Sequence, residues 1–235
     1  MKTHGKRYNK SVQKVDKEKT YKLSEAIEVL QGLDKVKFDE SVDISFNLGI
    51  DTKHSDQMVR GTVSLPHGTG KQVKVCVLAR DANLLEDAKK ALADHMGGDD
   101  LIEKIKGGWI DFDVVIATPD IMKDLSKLGK VLGPKGLMPS PKAGTVTQDV
   151  GRTVKEVKKG KIEYKVDKNG NLHVAIGKLS FDKEKLAENG MTVIEAVIKA
   201  KPASVKGVYI KKCVVSSTMS PGLKVDLRDL LAVKV

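Results

Sequence analysis

Residues 41–50 alternate without a break, with Val42, Ile44, Phe46, Leu48 and Ile50 on one face and Ser41, Asp43, Ser45, Asn47 and Gly49 on the other. Successive side chains of a strand point to opposite faces, so this strict period of two predicts a half-buried strand in an antiparallel sheet. The pattern then stops. Pro66-His67-Gly68-Thr69-Gly70 breaks it. Beyond lie short apolar runs at 73–78 and 114–117, alternating with helical stretches at 82–94, 101–106 and from Asp120. Buried strands alternating with helices predict a parallel sheet covered on both faces.

After a helix over 150–158 that ends at Gly160, the alternating style resumes. Runs at 162–166 and 172–176 flank Lys168-Asn169-Gly170-Asn171, and Asn-Gly is a strong hairpin signal, so an antiparallel hairpin is expected there. A helix over 182–199 stops ahead of Pro202, and strands at 207–217 and 223–233 follow. Near the start, Ser24 is a candidate N-cap for a short amphipathic helix ending near Gly32. The simplest architecture joins residues 1–66 and 160–235 into one α+β domain, an antiparallel sheet with helices. Residues 67–159 form an inserted α/β domain. The two crossings between them imply a hinge.

A chain of 235 residues accommodates two modest domains, and 40% hydrophobic residues suffice for two cores. The 42 Lys and Arg against 31 Asp and Glu give a formal charge of +11, which attracts polyanions. Residues 1–22 carry eight basic residues against Asp16 and Glu18 and read as a flexible cationic arm. The insertion holds 16 basic and 13 acidic residues, so most of the excess lies on the outer domain and its arm. The longest apolar runs fall far short of the roughly 20 residues that cross a bilayer. The start MKTHGKRYNK lacks the apolar stretch of a secretory signal, so a cytoplasmic location without membrane association is expected. Cys76 and Cys213 are expected to be buried free thiols. Aromatic residues make up 4% of the chain, too few for stacking platforms, so any RNA readout should rest on shape and backbone.

Catalytic chemistry finds no footing. Gly68-Thr69-Gly70-Lys71 fails as a phosphate loop, because Leu65 stands where a glycine is needed and Gln72 where a Ser or Thr is needed. The five histidines are scattered, with no pair at the spacing that puts two imidazoles on one helix face, so no metal is expected. Asp99-Asp100 opens a helix, where acids favour the dipole, and no Gly-x-Ser-x-Gly elbow surrounds Ser216, Ser217 or Thr218. No cofactor is expected. A DNA-binding module would suit the charge, but neither a helix-turn-helix nor a zinc pattern supports it.

Four segments, taken together and in order, resemble the bacterial ribosomal protein L-one family. They are Lys37-Phe38-Asp39-Glu40-Ser41-Val42, the stretch from Ser55 through Arg60-Gly61-Thr62 to Gly68, Leu132-Gly133-Pro134-Lys135-Gly136-Leu137-Met138-Pro139, and Ser217-Thr218-Met219. The resemblance spans nearly the whole chain. It implies a two-domain, non-enzymatic protein of the large ribosomal subunit, with a three-layer, Rossmann-like domain inserted in the first. It further implies binding of large-subunit ribosomal RNA at the mobile stalk near the exit site for transfer RNA, assistance in releasing deacylated tRNA, and repression of its own messenger RNA. The free protein is expected to be monomeric.

Carried over by position, the RNA face would comprise Lys37, Phe38, Ser41, Thr218, Met219 and Ser220, with Glu28, Lys165, Asp167 and Lys168 as weaker candidates. Lys contacts phosphates, Ser and Thr hydrogen-bond 2′-hydroxyls, and Phe38 and Met219 can press on a shallow minor groove. On the residues alone, Phe38 and Met219 read as ordinary core packing. The chain departs from the family's usual Thr-Met-Gly-Pro by having Ser220 before Pro221. Restoring glycine there is expected to be neutral or to tighten binding, because it removes a side chain where backbones approach.

Overall fold

A computed structural model describes residues 5–16 and 18–228. In chain order the helices and strands are α1 (Lys6–Gln13), α2 (Leu23–Gln31), β1 (Ser41–Leu48), β2 (Arg60–Ser64), β3 (Val75–Leu78), α3 (Ala82–Lys90), β4 (His95–Gly97), α4 (Asp99–Lys106), β5 (Val114–Ala117), α5 (Met122–Leu125), α6 (Gly129–Leu132), α7 (Val150–Lys159), β6 (Lys161–Lys165), β7 (Asn171–Lys178), α8 (Lys183–Lys199), β8 (Ile210–Ser217) and β9 (Leu223–Lys224). The chain divides into two compact units. One is built from the residues up to Gly70 and those from Glu163 onward, the other from Lys71–Ile162.

The discontinuous unit is α+β. Its main sheet has the order β7-β1-β8-β9, and β1 pairs antiparallel with both β7 and β8. Val42, Ile44, Phe46 and Leu48 are buried, and α2 and α8 pack on that side of the sheet. In α2 the apolar stripe is Leu23, Ala26, Ile27 and Leu30, at helical spacing. Because Leu23 already belongs to this stripe, the helix starts one residue before Ser24, and Ser24 is not the cap. Buried Asn189 of α8 joins the helix to the segment leaving this unit. Its side-chain amide donates to the Ile176 carbonyl (2.7 Å) and the Gly68 carbonyl (2.9 Å), and its oxygen accepts the His67 N–H (3.1 Å). Cys213 is buried here and Cys76 in the other unit; burial pushes each thiol up to about 12, so both are unreactive near neutral pH.

The second unit is α/β. Its parallel sheet has the order β4-β3-β5, and side chains of alternate parity feed two cores. Cys76, Leu78 and Val115 pack with Leu101 and Ile105 on one side. Val75, Val77 and Ile116 pack with Ala88 and Val154 on the other, giving three layers. The Pro- and Gly-rich loop after α6 rests on the first core through Leu137 and Met138.

Several local expectations need correction. The turn at 167–171 exists, but β6 joins β2 in a separate two-stranded sheet while β7 joins β1, so the flanking strands do not form a hairpin. The Asp167 carboxylate closes the turn by accepting the N–H groups of Asn169 and Asn171. The helix expected over 82–94 stops at Lys90, Leu92 turns left-handed (φ 63°), and β4 follows. From Asp120 the chain forms short 3₁₀ and α turns instead of one helix. The last strand is brief, and residues 229–233 lie outside the described residues.

The described part of the basic arm is not a free tail. It contains α1, and Ser11, Val15 and Tyr21 are buried, so this segment has an inward face that its charge conceals. Tyr21 is further tied to the last strand region, its N–H donating to the Lys224 carbonyl (2.9 Å).

Asn189→Ala strands the His67 N–H and two carbonyls at a buried site. It is predicted to destabilise the protein by about 2–3 kcal/mol, read from denaturant unfolding; a loss under ~0.5 kcal/mol would refute this pinning role.

Candidate nucleic-acid interface

Chain register brings the family-matched residues to one end of the main sheet. Ser41 opens β1, and β7 places Lys178 opposite it. Thr218, just past β8, continues the ladder. Its N–H donates to the Ser41 carbonyl (3.0 Å), and its hydroxyl accepts the Ser41 N–H (3.0 Å). Lys178 Nζ donates to Ser41 Oγ (3.0 Å).

Glu40 sits beneath this end, only 3% exposed. One carboxylate oxygen accepts both the Ser217 hydroxyl (2.6 Å) and the Met219 N–H (2.9 Å). A buried carboxylate is tolerated when such donors replace its water. Neighbouring Asp39 accepts the Ser180 N–H (3.2 Å) and hydroxyl (2.7 Å), anchoring the other side of the approach to β1. The two loops are therefore held by carboxylates, Glu40 from within the protein and Asp39 at its surface.

Phe38 and Met219 project from this polar frame, 54% and 47% exposed. Neither is a core residue, so the ordinary packing explanation does not apply. Lys37 is exposed beside Phe38. The end thus presents a cation, two apolar side chains and the Ser41 and Thr218 hydroxyls on an anchored backbone.

The Ser220 hydroxyl turns inward. It accepts the Ser217 N–H (2.8 Å) and lies 3.1 Å from the Pro221 carbonyl, so it closes the turn from within. Glycine would remove that partner from the Ser217 N–H.

Of the weaker candidates, three are not brought to this end, whereas Glu28 pairs with Lys183, the first residue of the helix that follows Lys178 and Ser180. Asp167, Lys168 and Lys165 lie around the turn beside the far end of β1, where the Leu48 N–H donates to the Gly170 carbonyl (2.8 Å). Ser41 and Leu48 are the two ends of an eight-residue strand, a separation on the order of 20 Å. Hydrogen bonds from the backbone N–H groups of Asn171 and Asn169 hold the Asp167 carboxyl below its usual range, as expected of a turn-former. Glu28 is exposed on α2 and paired with Lys183, whose hydrogen bond and charge lower its pKa.

Glu40 and Lys178 were not singled out from the residues. A signal for Glu40 did exist. It has the same parity as Val42, Ile44 and Phe46, so a strand extended one step backwards points a carboxylate inward, where it must find donors.

Known proteins give this geometry its context. A profile described as the Ribosomal protein L1p/L10e family matches residues 27–221. The large ribosomal subunit protein uL1 of Persephonella marina is 54% identical, over 98% of this chain and 97% of its own length. That of Chlamydia abortus is also 54% identical, over 99% of this chain and all of its own. The chain belongs to the ribosomal protein L1p/L10e family. It is a structural ribosomal protein of the cytoplasm and not an enzyme.

Two outcomes follow. Glu40→Ala leaves the Met219 N–H and Ser217 hydroxyl without their acceptor and is predicted to cost about 2–3 kcal/mol of stability; a Tm equal to that of the parent would contradict the anchoring. Ser220→Gly is predicted to lose about 1 kcal/mol in urea unfolding, and a gain in stability would show that its inward hydroxyl contributes nothing.

Proposed function

We propose that this chain, as a constituent of the large ribosomal subunit, binds a structured element of ribosomal RNA at the mobile stalk through the Ser41–Thr218 end of its discontinuous unit. The observation that carries this reading is the pair of exposed apolar side chains, Phe38 and Met219, the latter on backbone held by Glu40. Structured RNA offers a wide, shallow minor groove lined with 2′-hydroxyls, which suits apolar contacts flanked by hydroxyls and a cation. Residues 1–66 and 160–235 act as the RNA-binding domain and residues 67–159 as the insertion. From the stalk the protein touches exit-site tRNA and assists release of the deacylated form. The same surface binds a similar fold in the protein's own mRNA and represses its translation. The free protein works as a monomer.

Thr218 is a poor first probe, because its hydroxyl also supports Ser41. Phe38 and Met219 are cleaner. Phe38→Ala or Met219→Ala should cost about 1–3 kcal/mol of binding to stalk RNA and leave the slope of log affinity against log salt unchanged, since no phosphate contact is lost. An unrelated RNA duplex and a DNA duplex serve as competitors, with co-sedimentation on large subunits as the second readout. Equal affinity for stalk RNA and for the DNA duplex, or parental binding by both variants, would defeat the proposal.

A further inference from the structure

The charge of the N-terminal segment suggests a non-selective attraction to phosphate, yet one of its cations is used otherwise. Arg7, on α1, donates from Nη2 to the Met219 carbonyl (2.7 Å) and from Nη1 to the Asp34 carbonyl (3.1 Å). Both acceptors are neutral backbone oxygens. The fork of the guanidinium joins two loops that only tertiary folding brings together. A lysine, with its single ammonium, cannot reproduce this geometry.

Met219 is therefore fixed on both sides. Its N–H is held by Glu40 and its carbonyl by Arg7. A side chain whose flanking peptide groups are both restrained is presented in one direction before any partner arrives, which removes part of the ordering cost of binding. Helix α1 also borders the space the partner would enter. A groove of about 430 Å³ is lined by Gly5, Arg7, Tyr8, Thr218, Met219 and Ser220.

We infer that Arg7 is a positioning residue of the RNA interface, holding the Met219 loop for selective recognition, and that α1 is part of the specific site. This rests on the reading of the Ser41–Thr218 end as the RNA site. Arg7 lies outside residues 27–221, the span matched by the family profile.

The test uses the full chain. Binding of stalk RNA and of an unrelated RNA duplex is titrated against salt for Arg7→Lys, Lys6→Ala and Phe38→Ala, with thermal unfolding measured alongside. Arg7→Lys keeps the charge but loses the fork. It should weaken stalk RNA about tenfold, the loss of one charge-assisted hydrogen bond, with the salt slope and the unrelated duplex unchanged. Lys6→Ala should weaken both RNAs alike and flatten the slope by up to about one. Arg7→Lys binding stalk RNA like the parent, or weakening both RNAs equally as a loss of folding would, overturns the inference. If Phe38→Ala weakens stalk RNA while Arg7→Lys does not, the clamp alone is wrong. If neither does, the site itself is wrong and the clamp falls with it.

Discussion

The pairing of β1 with β7 and β8 is the constraint on which everything at the proposed interface depends. Ser41 lies opposite Lys178 in one neighbour, and Val42 lies opposite Ser217 in the other. These partners come after the insertion, so the sheet closes only when chain segments more than a hundred residues apart meet. The cost of such closure grows slowly with loop length, and the insertion has cores of its own that can order independently of it. Register is held by burial. A slip of one residue would turn Val42, Ile44 and Phe46 outward and separate Ser41 from Thr218.

From that register follows the role of Glu40. It continues the inward parity of β1 by one step and places a carboxylate where an apolar residue would otherwise stand. The Ser217 hydroxyl and Met219 N–H satisfy it, and in doing so they fix the loop after β8. The apolar groups at the surface are thus held by polar groups beneath them. Surface-exposed Phe and Met carry a solvation cost in the free protein, which is reasonable if a partner covers them.

Much of this was legible from residue patterns. The alternation at 41–50 and the break at 66–70 announced the antiparallel strand and the departure of the chain, and buried runs alternating with helices announced the parallel sheet. The Asn-Gly turn misled because a turn signal describes four residues and not the strands their neighbours choose. Helix α1 was hidden because its one buried residue is the polar Ser11, set among Lys6, Arg7 and Lys10. The interface residues themselves came from family resemblance. Composition alone would have sent Phe38 and Met219 to the core. The inward turn of the Ser220 hydroxyl and the reach of Arg7 to a carbonyl 212 residues away are tertiary facts with no local signature.

The central claim is that the Met219 loop is ordered before RNA arrives. Native-state hydrogen exchange of the free protein tests it directly, through the Met219 amide. That amide should exchange slowly, with protection approaching that of the β8 amides, and should change little when stalk RNA is added. Exchange at the rate of an open loop in the free protein, with protection appearing only in the complex, would mean that RNA orders the loop and that Glu40 does not.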